Sequence, residues 1–272
     1  WEVIIDASWQ RWATMSSAGQ DPQLPIVNWF HSHESIYRQQ PPVRFGMWVG
    51  VSRSHAENMS RAWGVPAKFV YNGIDLDFYK ANGRPRGERY LWLGRYTTEK
   101  DPASIIALAQ KLRIGVDFYG DVEIIGDQSY RNLCFNRADG YFAKVNPGIS
   151  REATVDAYST HKGFLYFPAW EEMFGLTVVE AMACGLVPIV GRRGAMPELI
   201  KEGVSGFIVD NLDEMSDIIV KDRVKEINPE KMRKWVEKRF SLERFVLDWE
   251  KLLTPSANTS KWDWHIEAPA DY

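Results

Sequence analysis

The amino-acid sequence predicts an α/β protein built on parallel, doubly wound sheets. Short apolar runs of strand length alternate with segments of helix length, an order typical of parallel sheets. Residues 164–190 are the most informative part, because they predict a buried strand, a loop with carboxylates, a helix and a second buried strand. Residues 81–88, rich in Gly, Pro and Arg, separate two such series and are predicted to be a linker.

The series before the linker is short. Its predicted strands are residues 3–5, 25–30 and 48–51. Ser54 is expected to cap an amphipathic helix over residues 55–63, which Gly64 ends. An extended stretch at residues 68–70 then leads into a turn at residues 72–75.

The series after the linker is longer. Its predicted strands begin at residues 90, 116, 140, 164, 187 and 206. Predicted helices cover residues 102–112 and 152–159, and another follows Gly175 and closes at Cys184-Gly185. We therefore predict a first domain over residues 1–84, a second over residues 85–240, and a C-terminal helix and tail over residues 241–272.

Composition and charge limit the classes of partner and cellular location that we expect for this chain. The net charge of −3 and the isoelectric point near 6.0 give no basic footprint, so no nucleic-acid partner is expected. No window offers about eighteen uncharged apolar residues, so no transmembrane helix is predicted. The two cysteines, Cys134 and Cys184, favour a reducing cytoplasm over a disulfide framework or a zinc site. Because the chain starts at Trp1, we expect its N-terminus to have been processed, engineered or cut.

Two glutamates mark the loop and helix within residues 164–190. Glu172 and Glu180 follow a predicted parallel strand, and ligands bind at the carboxyl end of such strands. The helix that follows Glu172 and contains Glu180 directs its amide groups and positive dipole end to the same edge. A structural alternative is a capping box, in which Glu180, three residues after Thr177, satisfies a backbone donor. Capping does not explain Glu172, and the neighbouring Glu171 is expected to be solvated.

A second polar loop follows the strand that begins at residue 90. Arg95 and Lys100 lie in this loop, and Asp101-Pro102 is predicted to be the N-cap and first residue of the next helix. Arginine offers a planar fork and lysine a point charge, so the loop suits a diphosphate. The alternative is a pair of surface cations, but cations at a helix N-terminus oppose its dipole unless an anion lies between them.

Histidines follow the predicted strand at residues 25–30. His31 and His33 would face the same side of an extended segment, as half of a metal site would. No third ligand of matching spacing is evident, so no metal is predicted. A single histidine is more often structural than functional, and both interpretations of His31 stay open.

The residues from Glu172 onwards carry a specific resemblance. The pattern E-x7-E, from Glu172 to Glu180, is followed by Ala-Met-Ala-Cys-Gly. It resembles the donor-binding signature of retaining glycosyltransferases of the GT-B class, family four type, within glycosyl transferases group 1. The resemblance covers most of residues 28–253. It implies two Rossmann-like domains facing a cleft, the N-terminal one short or truncated, with the C-terminal helix crossing back to that domain.

The resemblance also implies roles for particular residues. Arg95 and Lys100 would hold the donor diphosphate and offset charge that develops on the leaving group. Glu180 would accept hydrogen bonds from ribose hydroxyls, Glu172 would orient the donor sugar, and His31 would point towards that sugar. The other implied donor-binding residues are Phe174, Gly175, Leu176, Thr177 and Gly194.

Gly194 belongs to a third segment, which follows the strand predicted from residue 187. The resembling families carry G-G-x-P-E here, close to donor phosphate or sugar. Arg193 is interpreted as replacing the first glycine of that motif, while the backbone role of Gly194 is kept.

The function implied by the resemblance is transfer of a sugar, with retention of configuration, from a UDP- or GDP-sugar to a hydroxyl acceptor. The nucleotide-diphosphate sugar is a co-substrate, and no bound cofactor is expected. A glycan, a lipid-linked molecule or a small molecule would be the acceptor, in the cytoplasm or at the inner membrane face. Two alternatives stay open: a catalytically silent nucleotide-sugar binding module, and a GT-B sugar-nucleotide epimerase.

Overall fold

The computed structural model describes residues 4–6, 26–31, 46–64, 66–121 and 128–254. Its contacts divide the chain into two compact units. Unit 1 comprises Trp1–Gly73 and Glu243–Tyr272, and unit 2 comprises Ile74–Leu242. Each unit contains a parallel sheet with helices, which confirms the predicted α/β class. The domain limits after residues 84 and 240 stay a prediction.

The elements follow in chain order. The described strands are β1 (Ile4–Asp6), β2 (Ile26–Trp29), β3 (Met47–Gly50), β4 (Ala67–Phe69), β5 (Tyr90–Leu93), β6 (Val116–Gly120), β7 (Ala143–Pro147), β8 (Phe164–Tyr166), β9 (Pro188–Gly191) and β10 (Phe207–Val209). The described α-helices are α1 (Arg53–Trp63), α2 (Pro102–Leu112), α3 (Gln128–Arg137), α4 (Arg151–Thr160), α5 (Leu176–Ala183), α6 (Met196–Leu199), α7 (Leu212–Val220), α8 (Pro229–Phe240) and α9 (Leu242–Leu253). Across these described ranges, no helix is both long enough and apolar enough to span a membrane.

Unit 1 is built around a parallel sheet in the order β1-β2-β3-β4. Side chains of β3 alternate between its two faces, as the two-residue period of a strand requires. Met47 and Val49 join the buried cluster that includes Trp249 of α9. Trp48 points the other way and packs with Trp63 of α1. One helix therefore covers each face of β3.

Helix α1 is capped by Ser52, so the prediction of Ser54 is wrong. The Ser52 hydroxyl accepts a hydrogen bond from the backbone N–H of His55 at 3.0 Å. Ser54 lies inside the first turn, because Arg53 already begins the helix. The predicted end is confirmed: Gly64 has φ 69° and donates its N–H to the Ser60 carbonyl at 2.9 Å.

Unit 2 has a parallel sheet in the order β10-β9-β8-β5-β6-β7. From β5 the chain adds β6 and β7 on one side, then crosses over and adds β8, β9 and β10 on the other. The direction of winding therefore reverses between β5 and β8. In open α/β sheets, ligands bind at this switch point, at the carboxyl ends of the strands.

Strand β7 begins at Ala143, later than the predicted start at residue 140. The Asp139 carboxylate accepts hydrogen bonds from the backbone N–H groups of Tyr141, Phe142 and Ala143. Gly140 has φ 71°, a left-handed conformation. This Asp-centred turn keeps residues 140–142 out of the sheet.

Helix α5 begins at Leu176, and no side chain caps it. Glu180 therefore lies beyond the first turn, and the capping-box interpretation of Glu180 is wrong. The N-cap residue is Gly175, with φ 104°. A Cβ atom there would lie 2.5 Å from Cε of Met196. Both the backbone conformation and the packing thus require glycine.

Two arginines tie the start of unit 2 to its helices. The Arg233 guanidinium of α8 donates to the carbonyl oxygens of Tyr79 at 3.0 Å and Ala183 at 2.7 Å. Arg86 donates to the Cys184 carbonyl at 2.9 Å. The carbonyls of Ala183, the last residue of α5, and of the following Cys184 thus have cationic donors, which the negative end of the helix dipole favours.

Candidate active site

The candidate site lies where three neighbouring strands of unit 2 end. Strands β9, β8 and β5 are adjacent and parallel, so the loops that follow them leave the same edge of the sheet. The Ala169 N–H donates to the Glu99 carbonyl at 2.9 Å, and the Ala195 N–H donates to the Glu172 carbonyl at 2.7 Å. These backbone bonds join the three loops at the switch point of the sheet.

The carboxylate of Glu172 is the centre of this edge. Its Oε2 atom accepts hydrogen bonds from Lys100 Nζ, from the Tyr166 hydroxyl at 2.5 Å and from Trp170 Nε1 at 3.2 Å. The Glu172 side chain is only 5% exposed. Burial alone would raise the pKa of Glu172, but the Lys100 ammonium and the hydrogen bonds lower it below its usual value. The group is therefore an anion at neutral pH.

Lys100 pairs with Glu172 in an aromatic setting. Its Nζ atom lies 5.0 Å from the centre of the Trp170 ring and 5.7 Å from that of the Tyr166 ring. Burial lowers the pKa of Lys100, and the charge of Arg95 acts in the same direction. The structure thus brings Lys100 together with Glu172, and Arg95 lies close enough for its charge to act on Lys100, although the sequence assigned these residues separate roles.

Glu180 lies on α5 and faces tyrosine hydroxyls. The Tyr158 hydroxyl of α4 donates to its Oε2 at 3.0 Å. Tyr79 lies close enough to Glu180 to interact with its charge, and Cζ of Arg151 lies 5.5 Å from the centre of the Tyr79 ring. Burial raises the pKa of Glu180, whereas interactions with Tyr79 and Tyr158 oppose that rise. Burial together with the charge of Glu180 raises the pKa of Tyr79 to about 12.

The loop after β9 brings Gly194 against the loop after β8. Gly194 has φ 54°, and a Cβ atom there would lie 2.1 Å from the Glu172 carbonyl oxygen. Its N–H donates to Oε2 of Glu171 at 2.5 Å. The expectation that Glu171 is merely solvated is therefore wrong. Counting back from Glu198 also corrects the motif assignment, since the two glycines of G-G-x-P-E fall on Gly194 and Ala195.

The other predicted donor-site residues follow Glu172 directly. Phe174 is buried, and its ring packs 5.8 Å from that of Phe240, so its contacts are those of a core residue. Leu176 is 44% exposed at the start of α5, and Thr177 is half-buried. The carbonyl of Gly175 accepts hydrogen bonds from the helix at 3.0 and 3.3 Å.

His31 belongs to unit 1, where it follows β2. It is exposed, and its ring centre lies 4.1 Å from that of Trp29. His33 lies outside the described residues. Within the described part of the chain, no group of three His, Cys, Asp or Glu side chains could hold a metal ion.

Sequence reasoning missed the aromatic donors around both glutamates. Tyr166 ends the buried strand β8, and Tyr158 lies on the buried face of α4. A buried tyrosine hydroxyl usually requires a partner. That rule would have indicated an acceptor near Tyr166, but it would not have identified Glu172 as that acceptor.

Comparison with known proteins gives the family. The model of glycosyl transferases group 1 matches residues 77–239. The chain is 23% identical to sulfoquinovosyl transferase SQD2 of Arabidopsis thaliana, over 92% of this chain and 51% of that protein. It is 30% identical to D-inositol 3-phosphate glycosyltransferase of Mycobacterium sp. (strain KMS), over 53% of this chain and 36% of that protein. The chain thus spans about half or less of the length of these relatives.

Solved structures share the fold. HepE of Anabaena, in complex with UDP and glucose, gives a TM-score of 0.78 at 18% identity, covering 92% of this chain and 77% of HepE. Sucrose-phosphate synthase of Thermosynechococcus elongatus gives a TM-score of 0.75 at 16% identity, covering 92% and 72% respectively. The fold is that of the GT-B class of glycosyltransferases. Since the family model matches most of unit 2, the chain belongs to the glycosyl transferases group 1 family.

Proposed function

We propose that this chain carries the donor site of a retaining glycosyltransferase, family four type. The enzyme would move a hexosyl group from a nucleoside diphosphate to a hydroxyl acceptor. One observation carries the proposal: Lys100 and Glu172 form a buried ion pair across the loops after β5 and β8, at the switch point of a parallel sheet. Ligands of open α/β sheets bind at this edge, so the position of the pair favours a donor site.

The basic pair would stabilise the leaving group. As the bond between the anomeric carbon and the diphosphate oxygen breaks, negative charge grows on the diphosphate, and Arg95 and Lys100 would offset it. The acceptor oxygen would attack the same face of the sugar, and its proton would pass to a departing phosphate oxygen. Lys100 already has a partner in Glu172, so it would have to share its ammonium group between that carboxylate and the phosphate.

The two glutamates would hold the remaining parts of the donor. Among the described residues, the hydrogen bonds to the Glu172 carboxylate all reach Oε2. Its Oε1 atom would therefore accept hydrogen bonds from hydroxyls of the donor sugar. Glu180 would accept them from ribose, and the first-turn amides of α5, from Leu176 and Thr177, would face the phosphates. Gly194 would add a backbone donor.

The donor nucleotide and the acceptor complete the proposed reaction. HepE has been crystallised with UDP-glucose, which supports a UDP-sugar over a GDP-sugar as the first donor to test. A glycan or a lipid-linked molecule would accept the sugar, at the cytoplasmic face of the membrane or in the cytoplasm. The role that the resemblance implies for His31 stays a prediction.

Turnover separates this enzyme from a silent binding module. The experiment follows UDP release from UDP-glucose with a panel of sugar and lipid-linked acceptors, and assigns the product anomer by NMR. We expect an α-linked product, and a loss of about a hundredfold or more in turnover for Glu172→Gln. UDP-glucose binding without release of UDP under any condition would indicate the silent module. Conversion of the donor sugar without an acceptor would indicate the epimerase.

A further inference from the structure

Glu171 occupies a backbone amide that the proposed function needs. Its Oε2 atom accepts a hydrogen bond from the Gly194 N–H at 2.5 Å, and the residue is exposed. We propose that the Glu171 carboxylate is an intramolecular competitor of the donor diphosphate, which must displace it from Gly194 in order to bind. The inference rests on the proposed function, because that function assigns Gly194 to the donor phosphates.

A carboxylate is a reasonable substitute for a phosphate at this amide. Both present anionic oxygens that accept short, charge-assisted hydrogen bonds from backbone N–H groups. The neighbouring Glu172 is already paired with Lys100. Glu171 has a different partner: in the described part of the chain, Gly194 is its hydrogen-bond donor.

The loop geometry does not depend on the Glu171 carboxylate. The Ala195 N–H donates to the Glu172 carbonyl at 2.7 Å, and the Arg193 N–H donates to the Gly191 carbonyl at 2.9 Å. The Gly194 backbone also packs directly against that of Glu172. Because the backbone fixes the loop by itself, the exposed side chain of Glu171 can leave without disturbing it.

Removal of the charge at Glu171 should therefore strengthen binding of phosphate-bearing ligands. A carboxylate and a diphosphate cannot share one N–H donor, and they repel each other at short range. We expect affinity to rise by about five- to tenfold when this charge is absent, and the gain to shrink at high salt.

The test is calorimetric titration of UDP and of inorganic pyrophosphate into the wild-type chain, Glu171→Gln and Glu171→Ala. Glutamine keeps an acceptor for Gly194 but removes the charge, so both variants should bind both ligands more tightly. Glu202→Gln is the matched control, because Glu202 is another exposed glutamate that accepts a backbone N–H, from Ile208 at 2.8 Å. This control should leave both affinities unchanged.

Several outcomes overturn the inference. If Glu171 only fixes the loop, Glu171→Gln will match the wild type and Glu171→Ala will bind more weakly. Equal affinities in all variants, or no binding of either ligand to any of them, also contradict it. A Glu180→Ala arm separates this result from the proposed function. If Glu171→Gln strengthens pyrophosphate binding while UDP binding is insensitive to Glu180→Ala, the competitor is real and the nucleotide assignment is wrong.

Discussion

Single side chains decide how charge is held at the edge of the unit 2 sheet. Glu172 and Lys100 are 5% and 13% exposed, so each depends on the other to offset the loss of water. Tyr166 and Trp170 complete the carboxylate's hydrogen bonds. These contacts fix the position of the Glu172 carboxylate, as orientation of a donor sugar would require.

Removal of one partner of this pair should be costly. We expect Lys100→Met to lower the free energy of unfolding by about 3 kcal/mol, because it leaves a buried carboxylate without its counter-ion. Adding Glu172→Gln to that variant should recover part of the loss. The measurement is urea denaturation.

The control for this prediction is Lys111→Met. Lys111 pairs with Asp213, but their side chains are 68% and 90% exposed, so the loss should stay below about 1 kcal/mol. Similar losses of unfolding free energy in the two lysine variants would show that the Lys100–Glu172 pair contributes no more than an exposed ion pair.

Tyr158 should act through Glu180 as a positioning residue. Tyr158→Phe removes the hydroxyl that donates to Glu180 at 3.0 Å. We expect UDP affinity to fall about fivefold, the equivalent of roughly 1 kcal/mol for one hydrogen bond, with no change for UDP that lacks both ribose hydroxyls. Calorimetry measures both.

Tyr96→Phe is the matched control, since the Tyr96 hydroxyl donates to the Asn146 carbonyl at 2.8 Å. It should leave the ratio between the two ligands unchanged. A Tyr158→Phe variant that weakens both ligands equally would mean that Tyr158 only supports the fold.

The sequence predicted the charged members of the site but not their pairing. Spacing and strand ends identified Glu172, Glu180, Arg95 and Lys100, because local pattern suffices for that. The Lys100–Glu172 contact depends on β5 lying beside β8, and strand order is a non-local property. The hydrogen bond from Tyr158 to Glu180 likewise joins two different helices, α4 and α5.

Loops and helix ends set the shape of the site. The loop after β9 approaches the loop after β8 so closely that Gly194 has no room for a side chain. Its φ of 54° adds a left-handed conformation that other residues rarely adopt. Glycine is thus required here for two separate reasons.

These two reasons can be separated by a pair of variants. Gly194→Ala should lower the free energy of unfolding by more than about 2 kcal/mol, because a clash with the Glu172 backbone adds to the left-handed strain. It should also weaken UDP binding. Gly203→Ala carries similar strain at φ 70° but meets nothing within 4 Å. It should cost about 1 kcal/mol and leave UDP binding intact. Thermal unfolding and calorimetry test both variants, and equal costs would contradict the close approach.

Predicted elements were accurate where apolar runs are continuous, but α7 and α8 were not predicted although their burial is periodic. The buried strands and α2 were predicted closely, since continuous apolar runs leave few alternatives. Helix α3 was not predicted, and Cys134 is its one buried residue among those described, so its sequence carries little amphipathic pattern. The end of α1 was found, but its cap was misplaced by two residues, because both Ser52 and Ser54 are good caps.

At the level of the whole molecule, stability should depend on pH through a charge cluster of unit 2, formed by Asp117, His161 and Arg89. Burial alone would raise the pKa of Asp117, but hydrogen bonds from His161 and Arg89 lower it to about 2. A carboxylate whose folded pKa is depressed stabilises the fold above its unfolded pKa, and that contribution is lost as pH falls towards the folded value.

We therefore expect stability to fall between about pH 5 and pH 2, with Asp117 accounting for about 2 kcal/mol of that loss. The Asp117→Asn variant should be less stable than the wild type at pH 7, and its free energy of unfolding should change less as the pH falls. Urea denaturation at several pH values measures this. Parallel acid profiles for the two proteins would contradict the assignment.

The central claim is that the carboxyl edge of the unit 2 sheet binds a nucleoside diphosphate. The most direct test is thermal unfolding of the wild-type chain and Glu180→Ala with UDP, GDP, ADP and their sugar conjugates. A ligand at 100 times its Kd should stabilise the folded state by about 2.7 kcal/mol. We predict that one nucleotide stabilises the wild type selectively and that Glu180→Ala loses this effect. No stabilisation by any nucleotide, or equal stabilisation of both proteins, would contradict the account.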